Sequence, residues 1–193
     1  MTTEPAALLI IDQQQGIQSP VLGPRNHPQA EQRIAALLTV WREQHWPIVH
    51  VRHISRDPQS VFAPGQLGAA FQPRLCPLPQ EMVFEKNVTD AFIHSGLERW
   101  LHTRGIKQVV ITGVASENSV EATARTASNL GFATRVVEDA CYTFAKTDFY
   151  GTPRSAEEVH AMAMSNLQQE YADVMTTAQL LSGLGFTLSE NGR

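Results

Sequence analysis

Long apolar runs, basic stretches and paired cysteines are what this sequence has least of. The apolar run that follows the polar residues Met1 to Pro5 stops at Asp12. It is too short to span a bilayer and has no basic flank of the kind a signal peptide carries. The formal net charge is -4, and no block of like charges occurs. Phosphate backbones are held by basic stripes, so a nucleic-acid partner is not expected, nor is a membrane surface. Only two cysteines are present, Cys76 and Cys141. Without a secretion signal they are expected to be free thiols, which places the chain in the reducing cytoplasm.

What is present is the composition of an ordinary globular protein. The 193 residues, 42% hydrophobic and 18% charged, can bury a core without disulfide staples. No repeat or linker divides the chain, so one domain over residues 1–193 is expected. Strand-like and helix-like segments alternate along it. Ala7-Leu8-Leu9-Ile10-Ile11 has the unbroken apolar character of a strand buried on both faces. Ile34, Leu37, Leu38 and Trp41 fall at helical spacing within residues 28–45. Further strands are predicted at residues 47–51, 82–84, 107–112 and 134–138, with a short sixth at 173–175. Helices are predicted at residues 119–130 and 155–171, with another ending near Leu181. Such alternation implies an α/β fold, a three-layer helix-sheet-helix sandwich around a mainly parallel sheet of about six strands.

Sites in parallel sheets form beyond the carboxyl ends of strands. Asp12, Lys86 and Ser119 stand at or just past such ends. Ser119 also opens a predicted helix, where free N–H groups favour an anion. Each has an ordinary alternative role. Asp12 would serve as a turn or cap residue, Lys86 as a solvated lysine beside Glu85, and Ser119 as an N-cap.

Three segments tip that balance. Leu8-Leu9-Ile10-Ile11-Asp12-Gln13-Gln14 resembles the opening strand and Asp-x-Gln of the isochorismatase-like hydrolases. Lys86, followed by Thr89, Ala91, Phe92 and Leu97, is similar to that family's lysine segment, and residues 111–125 to its nucleophile segment. The likeness covers roughly residues 7–182, in the right order. It implies a Rossmann-like fold, a catalytic set of Asp12, Lys86 and position 119, and a cis peptide between Val114 and Ala115. It also implies an oxyanion hole from the N–H groups of Ala115 and Ser119. Gln14, Ile17 and Phe144 are expected to meet a small-molecule substrate, and a homodimer or homotetramer is implied.

The departure is Ser119, where most of the family carries cysteine. A free thiol lies ~4.6 pKa units above Asp, roughly 6 kcal/mol, which local charge can largely close. A hydroxyl resembles water, with a pKa of about 15.7, and the gap widens to ~12 units, on the order of 16 kcal/mol. The resemblance places no histidine beside it as a base. Four readings stay open: covalent serine chemistry at an amide-type bond, acid-assisted vinyl-ether hydrolysis that bypasses Ser119, a serine engineered in place of cysteine, and a silent binding protein.

Neither cofactor nor metal is expected. Nicotinamidases of the family hold a metal through Asp-x-His after the second strand, where this sequence has Val51-Arg52-His53. His50 and His53, three apart on a strand, point to opposite faces. Cys141, near a strand end, is expected to be a buried thiol rather than a displaced nucleophile. His160 and Tyr171 are expected to pack on a helix. Phe149 and Tyr150 share a loop with Phe144, and the loops at residues 56–79 and 142–154 are where specificity is expected to reside.

Overall fold

The apolar run near the start of the chain becomes an inner strand of the sheet. In the computed structural model, which describes residues 6–188, β1 spans Ala7–Ile11 and all five residues are buried. The chain continues through α1 (Ala30–Glu43), β2 (Ile48–His53), β3 (Met82–Lys86) and α2 (Leu97–Thr103). It then forms β4 (Gln108–Val114), α3 (Glu121–Asn129) and β5 (Ala133–Tyr142). A small antiparallel hairpin, β6 (Lys146–Thr147) and β7 (Pro153–Arg154), precedes α4 (Ala156–Leu167), β8 (Asp173–Met175) and α5 (Thr177–Gly183).

The main sheet has the order β3-β2-β1-β4-β5-β8, and every pairing in it is parallel. Alternation of side chains along each strand feeds two cores. Leu8 and Ile10 join Ile34, Leu38 and Trp41 of α1 and Leu180 of α5 on one face. Leu9 and Ile11 join Leu97 of α2, Ala124 of α3 and Leu167 of α4 on the other. This is the expected three-layer sandwich of six strands. Among the described residues no helix is long and apolar enough to cross a membrane.

Several boundaries shift by one or two residues, and three differ for a local reason. Residues 119–130 do not form one helix. Ser116–Val120 make a wide π-type turn, in which the Ala115 carbonyl accepts from both Asn118 N (3.0 Å) and Val120 N (3.1 Å), and α3 begins only at Glu121. The helix predicted to reach Tyr171 ends at Leu167, and Tyr171 instead carries the Arg125 guanidinium 4.4 Å above its ring. β5 runs past Glu138 to Tyr142 because its register against β4 slips: Ile111 pairs with Val136, but Gly113 pairs with Cys141. The surplus residues bulge from the ladder.

The topology also explains where a site can form. The chain steps outward from β1 to β2 and β3, then returns to β4 on the other side of β1. Loops therefore leave β1 and β4 in opposite directions, which opens a crevice at their carboxyl ends. Gly113, at that end of β4, has φ +125, and a Cβ there would sit 2.2 Å from the Ile11 carbonyl oxygen. Glycine alone permits this close approach of the two strands.

Candidate active site

Asp12 follows β1 directly, with φ +55, in the left-handed region that Asp tolerates better than most residues. Its backbone N–H still bonds Val51 O at 2.8 Å, so the turn starts from a fixed point. Lys86 is the last residue of β3, and His53, the last of β2, is its register partner. The lysine ammonium donates to Asp12 Oδ2 at 2.6 Å, to Ser119 Oγ at 3.1 Å and to Val88 O at 3.3 Å. An ammonium has three protons, and three acceptors surround this one.

Those contacts remove the ordinary roles in turn. Lys86 is no surface lysine, because its side chain is fully buried. The Ser119 hydroxyl takes a bond from Lys86, and Val120, not Ser119, is the N-cap residue of α3. Asp12 spends Oδ2 on Lys86, while its buried Oδ1 has no partner among the described residues. Burial pushes the Asp12 pKa up, and the charge and hydrogen bond of Lys86 work against that rise. A side-chain hydrogen bond with Ser119 lowers it further. The result is a desolvated carboxylate with Oδ2 held by Lys86 and Oδ1 without a hydrogen-bond partner among the described residues.

Ser119 lies inside the π-type turn, and the peptide bond entering it, Val114–Ala115, is cis. That bond is where the family resemblance places it. Ala115 and Ser119, whose N–H groups were expected to form an oxyanion hole, stand at the start and within this turn.

The three expected substrate contacts fare differently. Gln14 is wholly buried and its amide is committed to backbone: it donates to His53 O (2.8 Å) and Ala69 O (3.0 Å) and accepts from His53 N (2.7 Å). It clamps β2 to the loop over it and has no polar atom left for a ligand. Gln14→Ala should therefore cost on the order of 2–3 kcal/mol in urea unfolding by stranding buried backbone groups. A change within about 0.5 kcal/mol, typical of surface positions, would contradict the clamp.

Ile17 and Phe144 do share a cleft of about 570 Å³, walled also by Pro20, Arg25 and Gln72. Asp12, Lys86 and Ser119 do not line it. Ile17 and Phe144 reach the site indirectly, packing with Ala115 on Val114 and Tyr142. Phe149 and Tyr150 wall nothing near the site: both stand exposed between β6 and β7.

Two site neighbours were not singled out by sequence. Val88 supplies a carbonyl to Lys86, which no residue type can advertise. His53 was weighed only as a metal ligand, yet its ring interacts electrostatically with Asp12 and Lys86, and burial first, then Lys86, lowers its pKa. Its place at the carboxyl end of β2 was the available signal. His50, by contrast, is buried against Glu81 at 2.8 Å. Cys141 is also buried, and desolvation drives its thiol pKa far upward, so it is no nucleophile. Both cysteines are free.

A parallel α/β sandwich with an acid, a lysine and a hydroxyl gathered at its switch point places the chain among Rossmann-like enzymes. Comparison with known proteins sharpens this. A family model described as an isochorismatase domain matches residues 6–179. The crystal structure of an isochorismatase-family protein from Chromobacterium violaceum superposes with a TM-score of 0.93 at 49% identity, covering 96% of each chain. The isochorismatase family protein YrdC of Bacillus subtilis is 35% identical over 93% of this chain and 96% of its own. A more distant relative, maleamate amidohydrolase of Pseudomonas putida, is 27% identical over 92% of this chain and 86% of its own. The chain belongs to the isochorismatase family of small-molecule hydrolases.

Proposed function

We propose that the protein hydrolyses an amide-type carbon–nitrogen bond of a small molecule, with Asp12 carrying the proton and water as the nucleophile. The observation that carries this reading is the Asp12 carboxylate, held through Oδ2 by Lys86 at 2.6 Å, with Oδ1 unpartnered among the described residues. Oδ1 takes a proton from water as the water oxygen bonds to the amide carbon. The carbonyl oxygen becomes an oxyanion, received by the N–H groups of Ala115 and Ser119. The carbonyl then re-forms, the carbon–nitrogen bond breaks, and Asp12 returns the proton to the leaving nitrogen. Lys86 takes no part in the proton transfer and fixes the carboxylate through Oδ2. The kinship with an amidohydrolase supports the bond type.

Ser119 is assigned a hydrogen-bonding role in this scheme. Lys86 donates to its oxygen and so cannot be the base that removes its proton. A gap of ~12 pKa units to a carboxylate is a further obstacle. Ser119→Ala should thus keep turnover within about tenfold, whereas loss of a covalent serine nucleophile costs on the order of 10⁶-fold. Steady-state kinetics on that variant decides between the two.

A second reading has one observation in its favour. The raised pKa of Asp12 suits a protonated acid, as vinyl-ether cleavage would need. The sign of the pH profile separates the schemes. If Asp12 is the base, kcat/KM rises with pH through its pKa; if it is the acid, kcat/KM falls. A panel of small carboxamides and enol ethers is the direct test. Turnover of a carboxamide is expected. Turnover of enol ethers alone, or recovery of only unchanged ligand from a tight complex, would overturn the proposal.

A further inference from the structure

Away from the Asp12–Lys86–Ser119 cluster, three side chains from distant parts of the chain turn their donor atoms toward one another. His27 lies between β1 and α1, Glu138 in the bulged part of β5, and His160 on α4. Glu138 Oε2 is 3.6 Å from His27 Nε2 and 3.7 Å from His160 Nε2. One donor atom from each residue lies within 4.8 Å of the other two.

Hydrogen bonds on the far side of each ring bear on which nitrogen is free. His27 Nδ1 faces the carbonyls of Glu138 (3.1 Å) and Cys141 (2.9 Å). Carbonyls only accept, so Nδ1 carries the proton and, in the neutral ring, Nε2 presents a lone pair. His160 Nδ1 pairs with Ser116 Oγ at 2.7 Å. Its other nitrogen, Nε2, is buried with no hydrogen-bond partner among the described residues, on a side chain only 8% exposed. Glu138 Oε2 stands 3.7 Å from it, within ion-pair range but long for a hydrogen bond. A buried nitrogen held only by so long a contact gains from a closer ligand.

We infer that His27, Glu138 and His160 form a binding site for a divalent transition-metal ion of the zinc class. Tetrahedral zinc with donors at 2.0–2.2 Å sets neighbouring donors about 3.3–3.5 Å apart. The two histidine–carboxylate distances reach this by closing a few tenths of an ångström. Two imidazoles and one carboxylate suit zinc or iron, whereas calcium and magnesium want oxygen ligands. His27 and Glu138 are each about one-third exposed, so water can complete the coordination. The backbone carbonyls on His27 Nδ1 and the hydroxyl on His160 Nδ1 are the outer partners that orient imidazole ligands. Ser116 also begins the turn that carries Ser119, so the ion would tie the β1–α1 loop, the β5 bulge and α4 to that turn. This place is distinct from the Val51-Arg52-His53 segment on which the expectation of no metal rested.

Calorimetric titration of the full chain with zinc, after dialysis against a chelator, tests the inference. One ion per chain is expected, with Kd of ~1 μM or below, and cobalt should give visible d–d absorption at the same stoichiometry. Ser116→Ala should weaken binding about 10–100-fold, as loss of an outer partner does, and His27→Gln and Glu138→Gln by more. His102→Gln, at an exposed histidine, should leave the titration unchanged. If His160→Ala fails to fold, His27→Gln and Glu138→Gln, at partly exposed positions, still decide. No heat and no cobalt spectrum, or binding that survives both of those variants, overturns the site.

Discussion

Asp12→Asn is expected to lower kcat by ~10²–10⁴, the range supplied by a positioned acid–base group. The substitution keeps the shape of the side chain and an oxygen that can accept from Lys86 Nζ, but the amide cannot take up or return a proton. Its effect should fall on kcat far more than on KM, since the lost interaction belongs to the reaction rather than to binding. The pH limb assigned to Asp12 should vanish with it. That limb is expected above the ordinary value of 3.8, because burial outweighs the opposing influence of Lys86. Turnover within tenfold of wild type, in a variant whose far-UV circular dichroism is unchanged, would remove Asp12 from the chemistry.

Lys86→Met is expected to cost about 3–5 kcal/mol in urea unfolding, because it leaves one member of a buried ion pair uncompensated. Methionine follows the lysine stem closely, so the loss is electrostatic rather than one of volume. Hydrogen bonds to Asp12, Ser119 and Val88 go together. The pH dependence carries a definite sign. A carboxyl whose folded pKa is raised binds its proton more tightly when folded. Its contribution to stability is therefore full below the unfolded value, near 3.8, and is lost as pH rises through the folded pKa. Removing Lys86 takes away the largest influence opposing that rise, so this loss should deepen and extend to higher pH. Asp12→Leu combined with Lys86→Met should recover much of the stability while leaving no turnover, since apolar replacement of a whole buried pair is often neutral. A cost below about 1 kcal/mol for Lys86→Met, the scale of an exposed pair, would contradict the burial described here.

Much of the fold was legible because strands buried on both faces have no polar alternation to hide. Ala7–Ile11 was visible as a strand, residues 107–112 were read as most of Gln108–Val114, and the helical spacing of Ile34, Leu37, Leu38 and Trp41 matched α1. Asp173–Met175, a partly exposed edge strand, was read from its short apolar pair alone. Less legible was the wide turn at Ser116–Val120. Its residues have unremarkable helix propensity, and one carbonyl accepting two N–H groups is a matter of geometry rather than composition. Gln14 shows the same limit, since an exposed ligand contact and a buried backbone clamp require the same amide.

Asp12, Lys86 and Ser119 were each nameable from their places at strand ends and from family resemblance. What sequence by itself determined was the parallel α/β class, the family and these three positions, because burial periodicity and short motifs are local properties of a chain. Only the tertiary structure decided that one ammonium joins all three, that one carboxylate oxygen is unpartnered among the described residues, and that Phe149 and Tyr150 lie apart. It alone also brought His27, Glu138 and His160 together, through a register slip in β5 that no local pattern announces. The reason is physical: hydrogen-bond partners, desolvation and donor convergence are set by residues far apart in the chain, and they come into being only when the sheet closes.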